Sequence, residues 1–504
     1  INEFDGDDQE IFPKEIFSSS RMKVFHKLYR KTLQPKFSVK IMVENPYLNE
    51  GRIKGTAVNK QLAYIKASLF CLYVKNYLSI RFRKEFTKGN DFSMGTNGYA
   101  ISLVFMGISS ALPEFMNLIL ESLEVLGKPE LYDEVILETI RQQIANNYSS
   151  FDTTTSLHLS TFYLDLMVDQ LEIDFRTEQK QEMLRRWIYS VTSVDLAHFF
   201  QTLQNGNKLT MLFTGNVDEN SALKLSENIK KNLLKDLTEE EARREQEAKS
   251  SKETITTILD NILMRFNNKV VHYMVRKPDL DMEDNNNVYL TYFRANKTSV
   301  RVNIISTIIG FWLKNYVFDK LRNQMNLGYV AHASTREYYY RTGIIILVQG
   351  ENFRPAEIEK VIEDTVLEFI EQLRAKTDEE LDDIKMLVVE KYTEFSNSLS
   401  DVTSKEWNFI EAEYILGERA DYEKEALDVS KDEIIQFAEQ MFIHRQKRIT
   451  VELFAHGLTE DEHRFQLLEQ DSLGGLQYEI RSLDEIVKIR DNSVEYFERK
   501  LQIN

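Results

Sequence analysis

The sequence is poor in cysteine, proline and basic residues. Its 504 residues include one Cys and 7 Pro, and 63 Lys and Arg are outnumbered by 80 Asp and Glu, which gives a net charge of −17. A single cysteine, Cys71, excludes an intramolecular disulfide framework and favours a reducing compartment, and its apolar neighbours predict a buried thiol. The acidic balance offers no footprint for a phosphate backbone, so we expect no nucleic-acid partner.

Long apolar runs and the common catalytic signatures are also missing. The most apolar stretch, residues 100–120, is interrupted by Pro113 and Glu114, so it falls short of the roughly 18 residues that a membrane span needs. We expect a cytoplasmic protein without a membrane partner. The sequence has no G-x-S-x-G, phosphate-loop or dinucleotide-binding motif. None of its 8 histidines lies in H-E-x-x-H or H-x-x-E-H, the spacings that place two zinc ligands on one helix face, so we predict no metal site and no cofactor in this chain.

What the sequence does contain is an internal repeat with a period of roughly 240 residues, which is the size of a domain and not of a solenoid unit. Corresponding features recur in the same order in both halves. They are His26 and His272, Lys75 and Lys314 within apolar helices, Gly107 and Gly350, Pro113 and Pro355, and the apolar segments 209–215 and 449–457. We therefore predict two homologous domains.

A charged segment separates the two halves. Of the residues 235–253, 12 of 19 are charged, which predicts a solvated helix or linker with no part in a core. We place the first domain at 1–234, the linker at 235–258 and the second domain at 259–504. Each half has alternating strands followed by long amphipathic helices, so the predicted class is α+β, with a mostly antiparallel sheet that helices cover on one face.

One segment stands out chemically, residues 321–329 with the sequence LRNQMNLGY. On the residue types alone, Arg322 is a surface cation at a helix end and Tyr329 is a packed strand residue. Gly328 predicts a turn with positive φ that presents Tyr329 from the next segment.

The block at 321–329 is part of a longer pattern. Its residues are Phe318, Asp319, Leu321, Arg322, Leu327, Gly328, Tyr329, Gly343 and Gln349. This pattern resembles the C-terminal half of the insulysin/pitrilysin metalloproteases, the inverzincins, and the order of strands and helices, the turn LQPKF at 33–37 and the duplication extend the resemblance along the chain. The sequence departs from the family pattern at Met325 and Asn326, where members usually carry glutamate and glutamine.

The resemblance implies a function that this chain does not perform alone. It implies the third and fourth domains of a zinc metalloendopeptidase, inactive as a segment, whose partner is an N-terminal half in the same polypeptide or in a second chain. That half would hold zinc, and the two would enclose short peptide substrates. Arg322 would hold a substrate carbonyl, Tyr329 would donate to the oxyanion, and Arg336 would contact substrate. A homodimer is left open.

A second interpretation comes from a different class of protein. A stand-alone, inactive relative would serve as a scaffold or a peptide-binding subunit. The presence of both Arg322 and Tyr329, and a sequence that starts at Ile1 and not at Met, favour the first interpretation. The tyrosines at 338–340 fit either a chamber wall or a loop that packs on a neighbouring domain.

Overall fold

The structure is a computed structural model in which two compact units are formed. The residues it describes are 12–29, 35–45, 57–96, 100–149, 155–168, 186–203, 208–234, 271–278, 285–295, 299–338, 341–351, 353, 355–393, 398–416, 421–443, 447–455 and 476–480. Unit 1 comprises 1–149, 173–252 and 395–411, and unit 2 comprises 150–172, 253–394 and 412–504. The proposed linker at 235–258 lies outside the described residues, and the domain bounds stay a prediction.

The described strands form one six-stranded sheet in each unit. The strands of unit 1 are β1 (Lys14–Ser18), β2 (Met22–Leu28), β3 (Lys36–Glu44), β4 (Asp91–Thr96), β5 (Ala100–Ile108) and β6 (Lys208–Gly215). The strands of unit 2 are β7 (Val271–Pro278), β8 (Asn287–Arg294), β9 (Val330–Tyr338), β10 (Arg341–Gly350), β11 (Lys447–Phe454) and β12 (Leu476–Ile480).

The α-helices account for most of the other described residues. Up to residue 233 they are α1 (Ala57–Arg81), α2 (Arg83–Thr87), α3 (Leu112–Glu124), α4 (Glu134–Ser149), α5 (Ser156–Val168), α6 (Ser193–Leu203) and α7 (Glu219–Leu233). Later in the chain they are α8 (Val300–Val317), α9 (Pro355–Ala375), α10 (Asp378–Thr393), α11 (Leu399–Leu416), α12 (Tyr422–Asp428) and α13 (Lys431–Phe442).

The two sheets share their strand order. Sheet 1 runs β1-β2-β6-β3-β5-β4 and sheet 2 runs β12-β7-β11-β8-β10-β9, so the five strands after the first edge strand correspond one to one. The pairs β2–β6, β7–β11 and β7–β12 are parallel, and the other pairs are antiparallel. The predicted class, α+β with two homologous and mostly antiparallel sheets, is confirmed.

The core of unit 1 follows from strand alternation and helix spacing. Phe37, Val39, Ile41 and Val43 of β3 lie on one face and are buried together with residues of α1 and α3, as a period of two requires. Cys71 of α1 is buried in the same cluster, and burial raises the pKa of its thiol to about 12. The thiolate is therefore suppressed at neutral pH, and the predicted burial of the thiol is confirmed.

The prediction that helices cover one sheet face was wrong, because a helix from a distant part of the sequence covers the other. In unit 1 the second face packs against Trp407 and Ile410 of α11. In unit 2 the corresponding face packs against Leu159 and Phe162 of α5. The alternation of β3 could not show this, since its second face includes polar residues such as Ser38 and looks exposed until α11 is placed.

Candidate functional site

The segment that carries Arg322 is the continuation of α8 into a wider helical turn. The hydroxyl of Ser299 caps α8 by accepting from the backbone N–H of Val302. At Val317 the α-helix ends, and the residues Phe318–Gln324 form a π-helical turn, a conformation that is frequent at functional sites. Leu321 is fully buried and anchors the turn, so its neighbours in sequence are presented on the outside.

Arg322 is exposed on this turn. The carbon at the centre of its guanidinium lies 5.0 Å from the ring centroid of Phe318, which is a cation–π arrangement, and the Phe318 side chain is itself 42% exposed. Within the described part of the chain no residue forms a hydrogen bond or ion pair with the guanidinium. Its five N–H donors therefore face outward from a defined position.

A carboxylate beside Arg322 is bound to two side-chain amides. Asp319 accepts from Asn323 Nδ2 at 3.1 Å with one oxygen and from Gln324 Nε2 at 2.7 Å with the other. These hydrogen bonds hold the pKa of the Asp319 carboxyl below its ordinary value. They link residues four and five positions apart, and so they fasten the wider turn.

The same turn is connected to α9 through Glu368. Lys320 Nζ lies 2.8 Å from Glu368 Oε2, and the Tyr316 hydroxyl donates to the same oxygen at 2.8 Å. Burial and the neighbouring carboxylate raise the pKa of the Tyr316 phenol, which keeps it a donor. The turn is thus fixed at Leu321 and at Lys320 while Arg322 extends away from both.

The chain then reverses through Asn326 and Gly328, and the positive φ that was predicted for Gly328 is found at Asn326 instead. Asn326 has the positive φ, 52°, and Leu327 N–H donates to Leu321 O at 3.0 Å. Gly328 is needed for a different reason: a Cβ there would overlap the carbonyl oxygen of Gln349. Asn326 is one of the two departures from the family pattern, and asparagine is among the few residues that tolerate this conformation.

Tyr329 follows this crossing and immediately precedes β9. Its side chain is 55% exposed, so it is not the packed strand residue that the residue types alone indicate. The backbone after it is fixed at once, because Val330 pairs with Gln349 at the start of the β9–β10 ladder. Arg322 and Tyr329 are therefore the exposed ends of one compact turn whose backbone is held by buried and hydrogen-bonded neighbours.

Arg336 is not part of that turn. It lies on β9, seven residues beyond Tyr329, which is roughly 23 Å along an extended strand. Its guanidinium forms an ion pair with Asp165 of α5 at 3.2 Å. The tyrosine cluster at 338–340 cannot be placed beside it, since those side chains lie outside the described residues. The role of Arg336 in substrate binding stays a prediction.

Two contributions to this site were missed by sequence reasoning. The amide pair on Asp319 is visible in the sequence only as a D-x-x-x-N-Q spacing, which becomes meaningful once the turn is known to be π-helical. Glu368 is 48 residues from Lys320 along the chain, and no local pattern connects them.

The described residues offer no metal centre and no membrane span. Among them, no group of three or more His, Cys, Asp and Glu side chains is arranged to hold a metal ion. None of the helices in those ranges is long and apolar enough to cross a membrane. The residues that the structure places therefore do not fit a zinc site.

Comparison with known proteins identifies relatives of this chain. Residues 308–407, which include the Arg322–Tyr329 turn, match the family model described as PQQ synthase PqqF-like, C-terminal lobe domain 4. Insulin-degrading enzyme-like 1, peroxisomal, from Arabidopsis thaliana is 19% identical over 89% of this chain and 44% of its own length. The chain spans less than half the length of the curated relatives it matches.

Solved structures give the same result for the fold. Pitrilysin superposes on 96% of this chain and 46% of its own chain, with a TM-score of 0.71 and 14% identity. The peptidase M16 inactive domain from Pseudomonas fluorescens superposes on 89% of this chain and 99% of its own, with a TM-score of 0.61 and 13% identity. The fold is similar to those of pitrilysin and of the M16 inactive domain, and residues 308–407 are similar to a PqqF-like C-terminal lobe domain. These similarities confirm the resemblance to the C-terminal half of insulysin/pitrilysin proteins that was stated from the sequence.

Proposed function

We propose that this chain is the zinc-free C-terminal half of an insulysin-like metalloendopeptidase. In this proposal it forms part of a chamber that encloses short peptides, and it presents Arg322 and Tyr329 to a zinc site in an N-terminal half. The observation that carries the proposal is the turn itself. One turn with a fixed backbone carries an exposed guanidinium, which has no hydrogen-bond or ion-pair partner among the described residues, and an exposed phenol seven positions later. Two accessory groups for a reaction centre outside this chain would need such exposure.

Each of the two side chains has a chemical role that suits peptide hydrolysis. The guanidinium of Arg322 stays protonated at any physiological pH and has fork-shaped donors that can hold a peptide carbonyl. The hydroxyl of Tyr329 can donate to the oxyanion that develops at the scissile carbon. Zinc bound by the other half would supply the activated water. The roles of this chain are to bind, to orient and to donate hydrogen bonds.

Reconstitution tests the proposal. This chain would be expressed together with the zinc-bearing half, and cleavage of a short unstructured peptide would be followed with and without added zinc. We expect cleavage only when both halves are present, and we expect the same peptide sequence to resist cleavage within a folded protein. A zinc-bearing half that cleaves equally well without this chain would contradict the proposal.

The contribution of Arg322 has a matched control on the same chain. Arg322→Ala should lower the rate of cleavage by the reconstituted enzyme about 100-fold, the order found when one such donor is lost. Arg83→Ala removes an exposed arginine from unit 1 and should leave the rate unchanged. Equal activity of both variants would remove Arg322 from the site.

A second function is favoured by one observation. The solved structure described as the M16 inactive domain from Pseudomonas fluorescens is covered over 99% of its own chain, so a chain that consists of this fold alone has been crystallised. The alternative is a stand-alone scaffold or peptide-binding subunit. It predicts peptide binding by this chain alone, with no zinc-bearing partner in a native pull-down, whereas the peptidase proposal predicts such a partner.

Compartment and self-association remain part of the proposal. The single cysteine still favours a cytoplasmic enzyme, and fractionation of native cells would decide the compartment. Sedimentation of the reconstituted enzyme would show whether it forms a homodimer.

A further inference from the structure

Arg322 does not form an ion pair with the neighbouring carboxylate of Asp319. Asp319 and Arg322 are three residues apart on a helical segment, a spacing at which a carboxylate and a guanidinium are within reach of each other. The Arg322 guanidinium instead lies over the Phe318 ring, 5.0 Å from its centroid. Both oxygens of Asp319 accept from amides, Asn323 at 3.1 Å and Gln324 at 2.7 Å.

The π-helical turn explains how the two amides win this competition. In an α-helix a residue has neighbours on its face at three and four positions, but not at five. The wider turn, in which Met325 N–H donates to Lys320 O at 3.1 Å, also brings position five within reach. Asn323 and Gln324 can then each occupy a different oxygen of Asp319.

The position of the Arg322 guanidinium over the Phe318 ring complements this arrangement. A guanidinium that lies over an aromatic ring uses its planar face for the contact, and its N–H donors remain at the edge. An ion pair with Asp319 would use those donors instead. The arrangement in the structure therefore leaves the edge of Arg322 available to a peptide carbonyl.

We propose that Asn323 and Gln324 are positioning residues that keep Asp319 occupied, so that Arg322 stays available for substrate. This inference rests on the proposed function, since availability matters only if Arg322 binds the peptide. It adds two residues to the site. It also implies that the Asp319 carboxylate would form an ion pair with Arg322 if the two amides were absent, and that this ion pair would compete with substrate.

The first test measures Arg322 directly, without any peptidase activity. Phenylglyoxal modifies accessible guanidinium groups, and peptide mass spectrometry follows the modification of Arg322 alone. In the double variant Asn323→Ala/Gln324→Ala the rate of modification should fall about twofold, the order that an ion pair at this spacing supports. Adding Asp319→Ala should restore the rate of modification. In 1 M salt the rates of the parent and the double variant should become more similar, because exposed ion pairs are screened.

The second test measures the rate of peptide cleavage by the reconstituted enzyme. The double variant should lose activity by about the same factor, and the triple variant with Asp319→Ala should regain it. In an Arg322→Ala background the amide substitutions should have no further effect. A rescue of this kind is not expected if the amides only stabilise the turn, because removing Asp319 as well would weaken the turn further.

The outcomes separate the two proposals. A rate of modification that is unchanged in the double variant overturns the positioning role, whatever the peptidase assay gives. An Arg322→Ala variant with full activity overturns the proposed function, while the modification assay still decides whether the amides hold Asp319. If the double variant does not fold, as judged by its thermal unfolding, Gln324→Ala alone frees one oxygen of Asp319 and gives the same test with a smaller expected change.

Discussion

The two units contain the same turn in two different forms. In unit 1, α1 is followed by the short helix α2, and the chain reverses at Gly89, which has a φ of 90°. In unit 2 the helix widens into the π-helical turn, and the chain reverses at Asn326. Both turns lead into an edge strand of a sheet with the same order, so the two turns differ although the strand order around them is the same.

A glycine of the neighbouring strand aligns the two turns residue by residue. A Cβ at Gly107 of β5 would collide with the Asn90 side chain, and one at Gly350 of β10 would lie 2.6 Å from the Cα of Gly328. Asp91 pairs with Met106 and Val330 pairs with Gln349, one position before each glycine. Asn90 therefore corresponds to Tyr329, and the same offset places Arg83 opposite Arg322. Both turns carry an arginine, but only the second turn has the phenol. The duplication therefore supplied the scaffold, and the pair of side chains that makes up the candidate site belongs to one copy.

The sheet faces below these turns differ as well. In unit 1 the register pairs of β6 and β3 on the inner face are apolar, as in Met211 with Ile41. In unit 2 the corresponding pairs of β11 and β8 are polar, as in Thr450 with Thr291. Arg448, which is fully buried, forms an ion pair with Glu363 of α9 at 3.1 Å and donates to the Tyr289 hydroxyl at 2.7 Å.

The largest expected effect comes from breaking this buried network. Arg448→Ala should lower the free energy of unfolding by about 3–5 kcal/mol, because Glu359 and Glu363 would remain in a largely buried position without their cation. Urea unfolding measures the loss. The matched change in unit 1, Leu209→Ala, should cost about 2–4 kcal/mol, with no dependence on salt or pH. A loss below about 1 kcal/mol for Arg448→Ala would show that the network does not stabilise unit 2.

A smaller, pH-dependent effect is expected on the second face of sheet 1. Glu406 of α11 is 7% exposed, and burial raises its pKa to about 7 against the opposing pull of Lys27 and Lys405. The folded state therefore binds a proton that the unfolded state releases above its ordinary pKa. Between pH 4.5 and about 7 folding should lose about 3 kcal/mol from this group as pH rises, with no further loss above that range.

Substituting Glu406 tests that dependence. Glu406→Gln cannot ionise, so it should be more stable than the parent at pH 8 and similar to it at pH 5, with urea unfolding as the measurement. Glu390→Gln removes an exposed carboxylate of α10 and should leave the free energy of unfolding unchanged at both pH 5 and pH 8. A variant whose stability falls with pH as steeply as the parent would contradict the assignment to Glu406.

The smallest of the three expected stability effects comes from a glycine in each turn, Gly328 in unit 2 and Gly89 in unit 1. Gly328→Ala should cost about 2–3 kcal/mol, because its Cβ would overlap backbone atoms that cannot move easily. Gly89→Ala has open space for its Cβ, so it should cost only about 1–2 kcal/mol, from its left-handed φ. If Gly328→Ala were tolerated better than Gly89→Ala, the close backbone crossing below Tyr329 would not exist.

Much of the scaffold could be predicted from the sequence because its signals are local. The alternation at Phe37–Val43 and the capped, apolar α8 need no distant partner to be recognised. Trp407 and Leu159 were not predicted to cover a sheet, because each lies far in sequence from the strands it packs against. The polar face of sheet 2 was missed for a related reason, since Arg448 and Glu363 are 85 positions apart.

The residues of the candidate site could be predicted, but the backbone conformation that holds them could not. Arg322 and Tyr329 came from the resemblance, and the structure gives their setting: one exposed turn with a fixed backbone. Periodicity could not indicate the π-helical spacing that joins Asp319 to Gln324, and residue type alone favoured Gly328 for the positive φ that Asn326 adopts. Arg336 was grouped with the site, but the extended strand carries it away from the turn to Asp165.

The most direct test of the central claim is the kinetics of Tyr329→Phe in the enzyme reconstituted with its zinc-bearing half. The substitution removes one hydroxyl and keeps the ring, and Tyr189→Phe provides a control at another exposed tyrosine. We expect kcat to fall about 100-fold with little change in KM, as for a donor that acts in the transition state. Unchanged kcat for Tyr329→Phe would contradict the account.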